Sequence, residues 1–405
     1  MTGPRLTPDE LRRGLGLRYE LSAQQQAVIA DPPDEPLLVV AGAGSGKTEL
    51  MALRVMWLIV NQHVRPDQVL GLTFTRKAAG ELSHRIRLYL GRAIRLLGSD
   101  AHLVGEPTVA TYHSFAARIV REHGLRAGFE PSARLLTEAA CWQIADAVVR
   151  QHDSPAMRAF PLGQESATSA VLALASELAE HLRDPDDIAE FTNQLTGEVY
   201  SRSVPRIYKD VRDLLERQEG RLALLPLVRE YASRKRAADG LDFGDQLRRA
   251  AVVARDHPDV RDVERDRFRV VLLDEYQDTS HAQVVLLRSL FGDGHPVTAV
   301  GDPCQSIYGW RGASAGTLDR FPTDFPHADG APATVRSLSV SWRNMPEILA
   351  VANRIAEPLR LRGLRVEELR PAPGTSLSAK GRVRVTLNES YLDEAEWVAG
   401  EIECA

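Results

Sequence analysis

The chain has 405 residues, 44% of them hydrophobic, and a formal charge of −5. That length implies two or three domains, and the acidic balance excludes a globally basic nucleic-acid binder, so any such site must be a local groove. No stretch approaches the ~20 apolar residues of a membrane span, residues 1–15 lack the apolar core of a signal peptide, and Cys141, Cys304 and Cys404 lie too far apart for zinc or a disulfide framework, which fits a cytoplasmic protein without a membrane partner.

Residues 36–40 form an apolar run that reads as a buried strand, and residues 49–60 carry apolar side chains at helical spacing. Between them lies Val39-Val40-Ala41-Gly42-Ala43-Gly44-Ser45-Gly46-Lys47-Thr48. Strand, glycine-rich turn, Gly-Lys-Thr and helix in that order make a phosphate-binding loop. The amides of Ala43, Gly44, Ser45 and Gly46 can close around a triphosphate at the positive end of the helix. Lys47 can place a point charge on the β- and γ-phosphates, and Thr48 can offer its hydroxyl to Mg²⁺. The strict pattern has Gly where Ala41 stands. The plain alternative is a glycine-rich connector.

Further along, residues 69–74 read as a strand and 78–97 as a helix with Arg85, Arg87, Arg92 and Arg95 on its polar side. Residues 109–112 read as a short strand, and a helix starts over 115–121. This alternation predicts an α/β fold with a parallel sheet covered by helices. From 124 to 240 helical periodicity dominates, for example over 139–149 and 170–182. After Leu241 the alternation resumes, with strands at 270–273 and 297–300 and a helix at 282–290. A helical block inserted into an α/β domain accounts for this order. Residues 371–378 are the most linker-like stretch.

The strand 270–273 ends in Asp274-Glu275. Beside a phosphate loop, Asp274 can hold Mg²⁺ and Glu275 can act as general base on the attacking water. On its own the pair could be an ordinary acidic strand end. Asp278, Thr279 and Ser280 read as caps of the following helix. Lys occurs only at 47, 77, 209, 235 and 380. Lys47 and Lys77 both fall in motif-like segments, where a compact charge is not replaceable by the Arg fork, although Lys77 reads equally well as part of a solvated helix face.

Taken together, the segments resemble the motif set of UvrD/Rep-type superfamily 1A helicases over nearly the whole chain. Leu21-Ser22-Ala23-Gln24-Gln25 is similar to the glutamine motif, Ala41 to Thr48 to motif I, and Leu72-Thr73-Phe74-Thr75-Arg76-Lys77-Ala78-Ala79 to motif Ia. Thr111-Tyr112-His113-Ser114-Phe115 resembles motif Ib, and Asp242-Phe243-Gly244-Asp245 the segment that resumes the first domain. Asp274-Glu275-Tyr276-Gln277-Asp278-Thr279 resembles motif II, residues 300–313 (Val-Gly-Asp-Pro-Cys-Gln-Ser-Ile-Tyr-Gly-Trp-Arg-Gly-Ala) motif III, and Ser341-Trp342-Arg343-Asn344 motif IV.

The resemblance implies a RecA-like ATP-binding domain 1A (residues 1–123 and 241–338), an inserted helical domain 1B (124–240) and the beginning of a second RecA-like domain 2A (339–405). It implies ATP and Mg²⁺ as cofactors, with Gln25 reading the adenine edge and Trp342 lying against the base. Gln305 would sense the γ-phosphate and Arg343 would act as an arginine finger, both beside Glu275 in catalysis. Thr73, Phe74, His113, Tyr308 and Trp310 would contact single-stranded DNA, the aromatic rings serving any base. From the residues alone, Phe74 reads equally as core and His113 as a cap of the next helix. Trp310, bracketed by Gly309 and Gly312, reads as a functional loop tip.

Motif IV usually has Asn-Tyr where Ser341-Trp342 stand, and Arg often follows Gly-Lys-Thr where this chain has Glu49. Glu49, the 64–69 lead-in and the Arg-rich composition look most like the AdnB-type subunit of actinobacterial helicase–nucleases, which implies a second helicase or nuclease subunit as partner. No motif V or VI follows Arg343, so the expectation is a fragment of a longer motor. The implied function is an ATP-dependent helicase or translocase on single-stranded DNA or duplex ends, moving 3′ to 5′, in repair or double-strand-break processing. The alternatives are a nucleotide-gated DNA-binding subunit without unwinding of its own, and an RNA-directed activity.

Overall fold

The computed structural model describes residues 6–97, 103–130, 132–152, 163–201, 207–309, 316–361, 366–373 and 381–403. The first strand, Leu37–Ala41 (β1), is buried along its whole length, as a strand covered on both faces must be. Val69–Thr73 (β2) and Thr108–Thr111 (β3) follow, then the two-residue strands Arg134–Leu135 (β4) and Gly240–Leu241 (β5). Val270–Leu273 (β6), Val297–Gly301 (β7) and Thr334–Leu338 (β8) come next, and the short pair Val340–Ser341 (β9) and Arg370–Pro371 (β10) last. Six of these form one sheet in the order β3-β2-β6-β7-β1-β8, with every pairing parallel. The C-terminal ends of its strands therefore share one rim, where ligands bind in such sheets.

Helices cover both faces. On one side, Tyr112–His123, Phe243–Asp256 and His281–Phe291 bury Phe115, Leu247, Leu287 and Phe291. On the other, Lys47–Val60 and Arg76–Leu97 bury Met51, Leu58 and Ile86. The expected parallel α/β sheet is thus observed.

Between β3 and β6 the chain leaves the sheet for the helices Glu138–Gln151, Gln164–Glu180, Pro185–Ser201 and Lys209–Ala237. These have their own core, with Val148, Val171, Leu227 and Tyr231. Where the excursion leaves and returns, β4 pairs with β5, setting Arg134 opposite Gly240 and Leu135 opposite Leu241.

Three local expectations change. Tyr112 opens a helix rather than ending a strand, because the Thr111 hydroxyl accepts the Ser114 amide at 3.1 Å. That makes Thr111 the cap and excludes His113 from the role. Likewise Ser280 alone caps His281–Phe291, in a reciprocal box with Gln283. Asp278 ends the 3-10 turn Tyr276–Asp278, and the Thr279 hydroxyl donates to the Tyr276 carbonyl.

Candidate functional site

Loop 42–46 leaves the C-terminal end of β1 and feeds the helix Lys47–Val60. Gly44 and Gly46 adopt φ of +76° and +83°, which only glycine adopts without strain. A Cβ on Gly44 would also lie 2.6 Å from Ser341 Oγ and 2.9 Å from Arg343 Cβ. Ser45 Oγ donates to the Gly42 carbonyl at 2.8 Å and braces the turn. The helix Lys47–Val60 starts at this rim, so its positive end lies where anion binding requires.

β6 delivers the acidic pair to the same rim. Asp274 is buried, and burial, with the neighbouring Glu275 charge, pushes its carboxyl up to about 7 against the pull of Lys47. Such a carboxylate gains from a cation beside it. The Asp274 carboxylate and the Thr48 hydroxyl, on the first turn of the loop helix, are hard oxygen donors of the kind Mg²⁺ takes. Glu275 has φ +49°, a strained conformation for a residue with a side chain. Its Oε2 lies 3.9 Å from Lys47 Nζ.

Gln277, to which the sequence assigned no role, joins these parts. Its Nε2 donates to Glu275 Oε2 at 2.8 Å, and its Oε1 accepts the Asp302 amide at 3.0 Å. Asp302 in turn accepts from Gln305 Nε2 at 2.5 Å. The sequence signal was an amide set among acids in a turn, which by itself reads as surface.

Gln25 sits in a capping box with Ser22, and its Nε2 donates to the Ser45 carbonyl at 3.2 Å. One amide hydrogen and one lone pair remain for a base edge. The Trp342 amide donates to the Gly44 carbonyl at 2.8 Å, and Ser341 Oγ donates to the Ala43 carbonyl at 3.1 Å. These bonds seat the exposed Trp342 and Arg343 over the loop. Every expected nucleotide residue therefore lies on one rim or in direct contact with it.

An adjoining cleft of about 680 Å³ is lined by Phe74, Thr111, His113, Phe243, Asp278 and Gln283, among others. Phe74 packs on the core from one side and meets Tyr308 from the other, with ring centroids 4.7 Å apart. Phe74 is thus partly buried against the core and also borders the cleft. His113 meets the exposed Phe243 edge-on at 5.6 Å. Phe243 was missed because its segment read only as a connection. Thr73 is corrected: it is fully buried and its hydroxyl donates to the Thr75 carbonyl, so it supports the loop and presents nothing to the cleft. Lys77 lies exposed on a helix face, 3.9 Å from Glu81, in line with the solvated reading. Trp310 lies outside the described residues.

The model of the UvrD/REP helicase N-terminal domain matches residues 21–326. The chain belongs to the UvrD/REP helicase family. The sheet and loop are accordingly the RecA-like core of such a helicase domain. ATP-dependent DNA helicase UvrD1 of Mycobacterium tuberculosis (strain ATCC 25618 / H37Rv) is 32% identical over 398 residues, covering 94% of this chain and 44% of the relative. DNA helicase II of Escherichia coli (strain K12) is 30% identical over 334 residues, covering 82% of this chain and 40% of the relative. ATP-dependent DNA helicase PcrA of Bacillus subtilis (strain 168) is 28% identical over 332 residues, covering 82% and 38%. The chain thus spans less than half the length of these relatives.

Two further charge clusters are engaged within the protein. Glu49 is tied up by the Tyr19 hydroxyl, the Tyr89 hydroxyl at 2.6 Å and Arg85 at 3.0 Å, so its carboxylate faces its own neighbours. Glu122, His123 and Glu264 approach each other as metal ligands would, yet Arg118 forks onto Glu264 and Arg267 bonds Glu122, so the group is an ion-pair network. Among the described residues no helix is long and apolar enough to cross a membrane.

Proposed function

We propose that this chain acts in an ATP-dependent DNA helicase that tracks single-stranded DNA, 3′ to 5′, in repair or double-strand-break processing. The observation that carries the reading is adjacency. The strand that ends in the acidic pair runs into the turn Tyr276–Asp278, whose last residue, Asp278, lines the aromatic cleft. One segment thus carries the acidic pair and part of the cleft wall, which supports a joint role in nucleotide chemistry and strand contact.

In this mechanism the loop amides and Lys47 hold the phosphates, and Gln25 holds the adenine edge. Asp274 and Thr48 would hold Mg²⁺, which supplies charge neutralisation at the phosphates. Glu275 takes the proton of the attacking water, Gln305 meets the γ-phosphate, and Arg343 brings positive charge from beyond β9. Phe74, His113, Tyr308 and Trp310 offer bases a face that ignores sequence, as a translocating motor requires.

The test is ATP hydrolysis with DNA and RNA oligonucleotides as stimulators, with Tyr308→Ala alongside. Stimulation by single-stranded DNA is the expected result. Tyr308→Ala should weaken DNA binding by about 1–3 kcal/mol and leave ATP affinity without DNA unchanged. Stimulation by RNA alone would overturn the DNA assignment.

A further inference from the structure

A second cavity, of about 490 Å³, lies where the helical excursion meets the helix Phe243–Asp256. It shares no lining residue with the aromatic cleft, although both flank that helix. Leu178, Val228, Leu241 and Val252 give it apolar walls. That size, with apolar walls and a few fixed polar groups, suits a small organic ligand.

Five cations also line the cavity: Arg229, Lys235, Arg236, Arg248 and Arg249. Three are neutralised within the protein. Arg229 meets Asp186 at 2.5 Å, Arg248 meets Asp184 at 2.6 Å, and the buried Lys235 is shared by Asp242 and Asp245. Arg236 and Arg249 remain without an ion-pair partner among the described residues. Arg236 is exposed on the last turn of the helix Lys209–Ala237, and the Arg249 guanidinium lies 5.0 Å from the centroid of the Phe129 ring. Burial holds the Arg249 pKa below its ordinary value; Asp245 opposes this and the Arg236 charge adds to it. In a chain with a formal charge of −5, two cations thus line one cavity and repel each other.

An anion between them offsets that repulsion. Guanidinium forks match the oxygens of a phosphate. A phosphate monoester carries about −1.5 to −2 charges at pH 7, close to the opposite of the pair. The apolar walls take the organic body of the ester, which a bare ion lacks.

We propose that this cavity binds a phosphate monoester with an apolar or aromatic body, its phosphate held by Arg236 and Arg249. The site is separate from the phosphate loop and does not depend on the helicase reading. Two sources carry this chemistry: a free nucleoside monophosphate and the terminal phosphate of a DNA end.

The experiment is isothermal titration of the 405-residue chain with thymidine 5′-monophosphate, repeated on Lys47→Ala to remove the contribution of the phosphate loop. The expected dissociation constant is below about 1 mM in both, rising about tenfold or more in Arg236→Ala and in Arg249→Ala. Because Arg236 is exposed, Arg236→Ala should keep the melting temperature, so its loss of binding reads the site and not the fold. Inorganic phosphate, without the organic body, should bind at least about fivefold more weakly. Blunt duplex DNA with and without a 5′-phosphate separates the sources. A preference of about tenfold for the phosphorylated end, lost in Arg236→Ala, assigns the site to a DNA end, and equal binding assigns it to a free ester. No binding of the monophosphate at millimolar concentration, binding lost in Lys47→Ala, or binding unchanged in both arginine variants would overturn the site. Equal affinity for inorganic phosphate would overturn the ligand class.

Discussion

Lys47 and Glu275 stand 3.9 Å apart, and the proposed mechanism divides one task between them. Lys47→Ala should abolish ATP binding, whereas Glu275→Gln should keep binding and lose about 10²–10⁴-fold in single-turnover hydrolysis, the usual contribution of a general base. Equilibrium binding of a fluorescent ATP analogue and quenched-flow hydrolysis separate the two, and normal hydrolysis by Glu275→Gln would refute the base assignment. A second residue sets acid sensitivity. His295 is buried with Nε2 at 2.8 Å from the Phe268 carbonyl, and burial, helped by Arg265, holds its pKa down at about 4. The unfolded chain takes up this proton below its ordinary value of 6.5, the folded chain only near 4, so folding stability present above pH 6.5 falls as pH drops between them. The loss should total roughly 3 kcal/mol, and His295→Gln should flatten it in urea titrations across that range. Equal slopes for both proteins would exclude the effect. The placement of Lys47, Thr48, Asp274 and Glu275 was legible in sequence because the loop and the acidic strand end are each written in consecutive residues. Gln277 and Phe243 were not, because their partners are distant in the chain or lie across a cleft.

The helix Ala23–Ala30 has eight residues, too few to persist without caps and packing. Ser22 and Gln25 bond each other's backbone at its start, at 3.1 and 3.0 Å. Ser22→Ala should therefore cost about 0.5–2 kcal/mol, read as a lower denaturation midpoint. Discrimination between ATP and GTP should change little, because the Gln25 carboxamide keeps its bonds to the Ser22 amide and the Ser45 carbonyl; lost discrimination would show that the cap also positions the side chain. Elements with continuous apolar runs, such as β6, were legible to the residue, since burial on both faces writes itself as Val-Val-Leu-Leu. Starts governed by a single hydroxyl were not, and Thr111 moved one helix start three residues upstream of the expected 115. The β4–β5 pair was invisible because two residues carry no periodicity.

At the scale of the whole molecule, burial is uneven. The sheet and its helices are closely packed, but the helix Pro346–Leu361 buries only Leu349, and Tyr391–Glu403 buries none of its residues. Ile355, Leu361 and Leu387 are 73, 82 and 100% exposed. Segments with so few apolar contacts open at low free energy. Limited proteolysis followed by mass spectrometry should cut first within 339–403 and leave a core ending near 338; first cuts inside the sheet would contradict this. Arg343, the proposed arginine finger, stands on that weakly held part, and loss of such an arginine costs about 10³-fold or more in turnover. The 405-residue chain should accordingly bind ATP-Mg²⁺, hydrolyse it slowly and leave a duplex unopened, and robust strand separation in a gel assay would defeat that expectation. The strand order has one more consequence, for biosynthesis. β1, which carries the phosphate loop, pairs with β7 and β8, made from residues 297–301 and 334–338. A ribosome adding ~5–20 residues per second needs on the order of 10–60 s to supply them. The nascent loop is among the first segments translated and among the last to gain its neighbours. Throughout that interval an apolar strand waits unpaired, a client for whatever holds emerging chains apart.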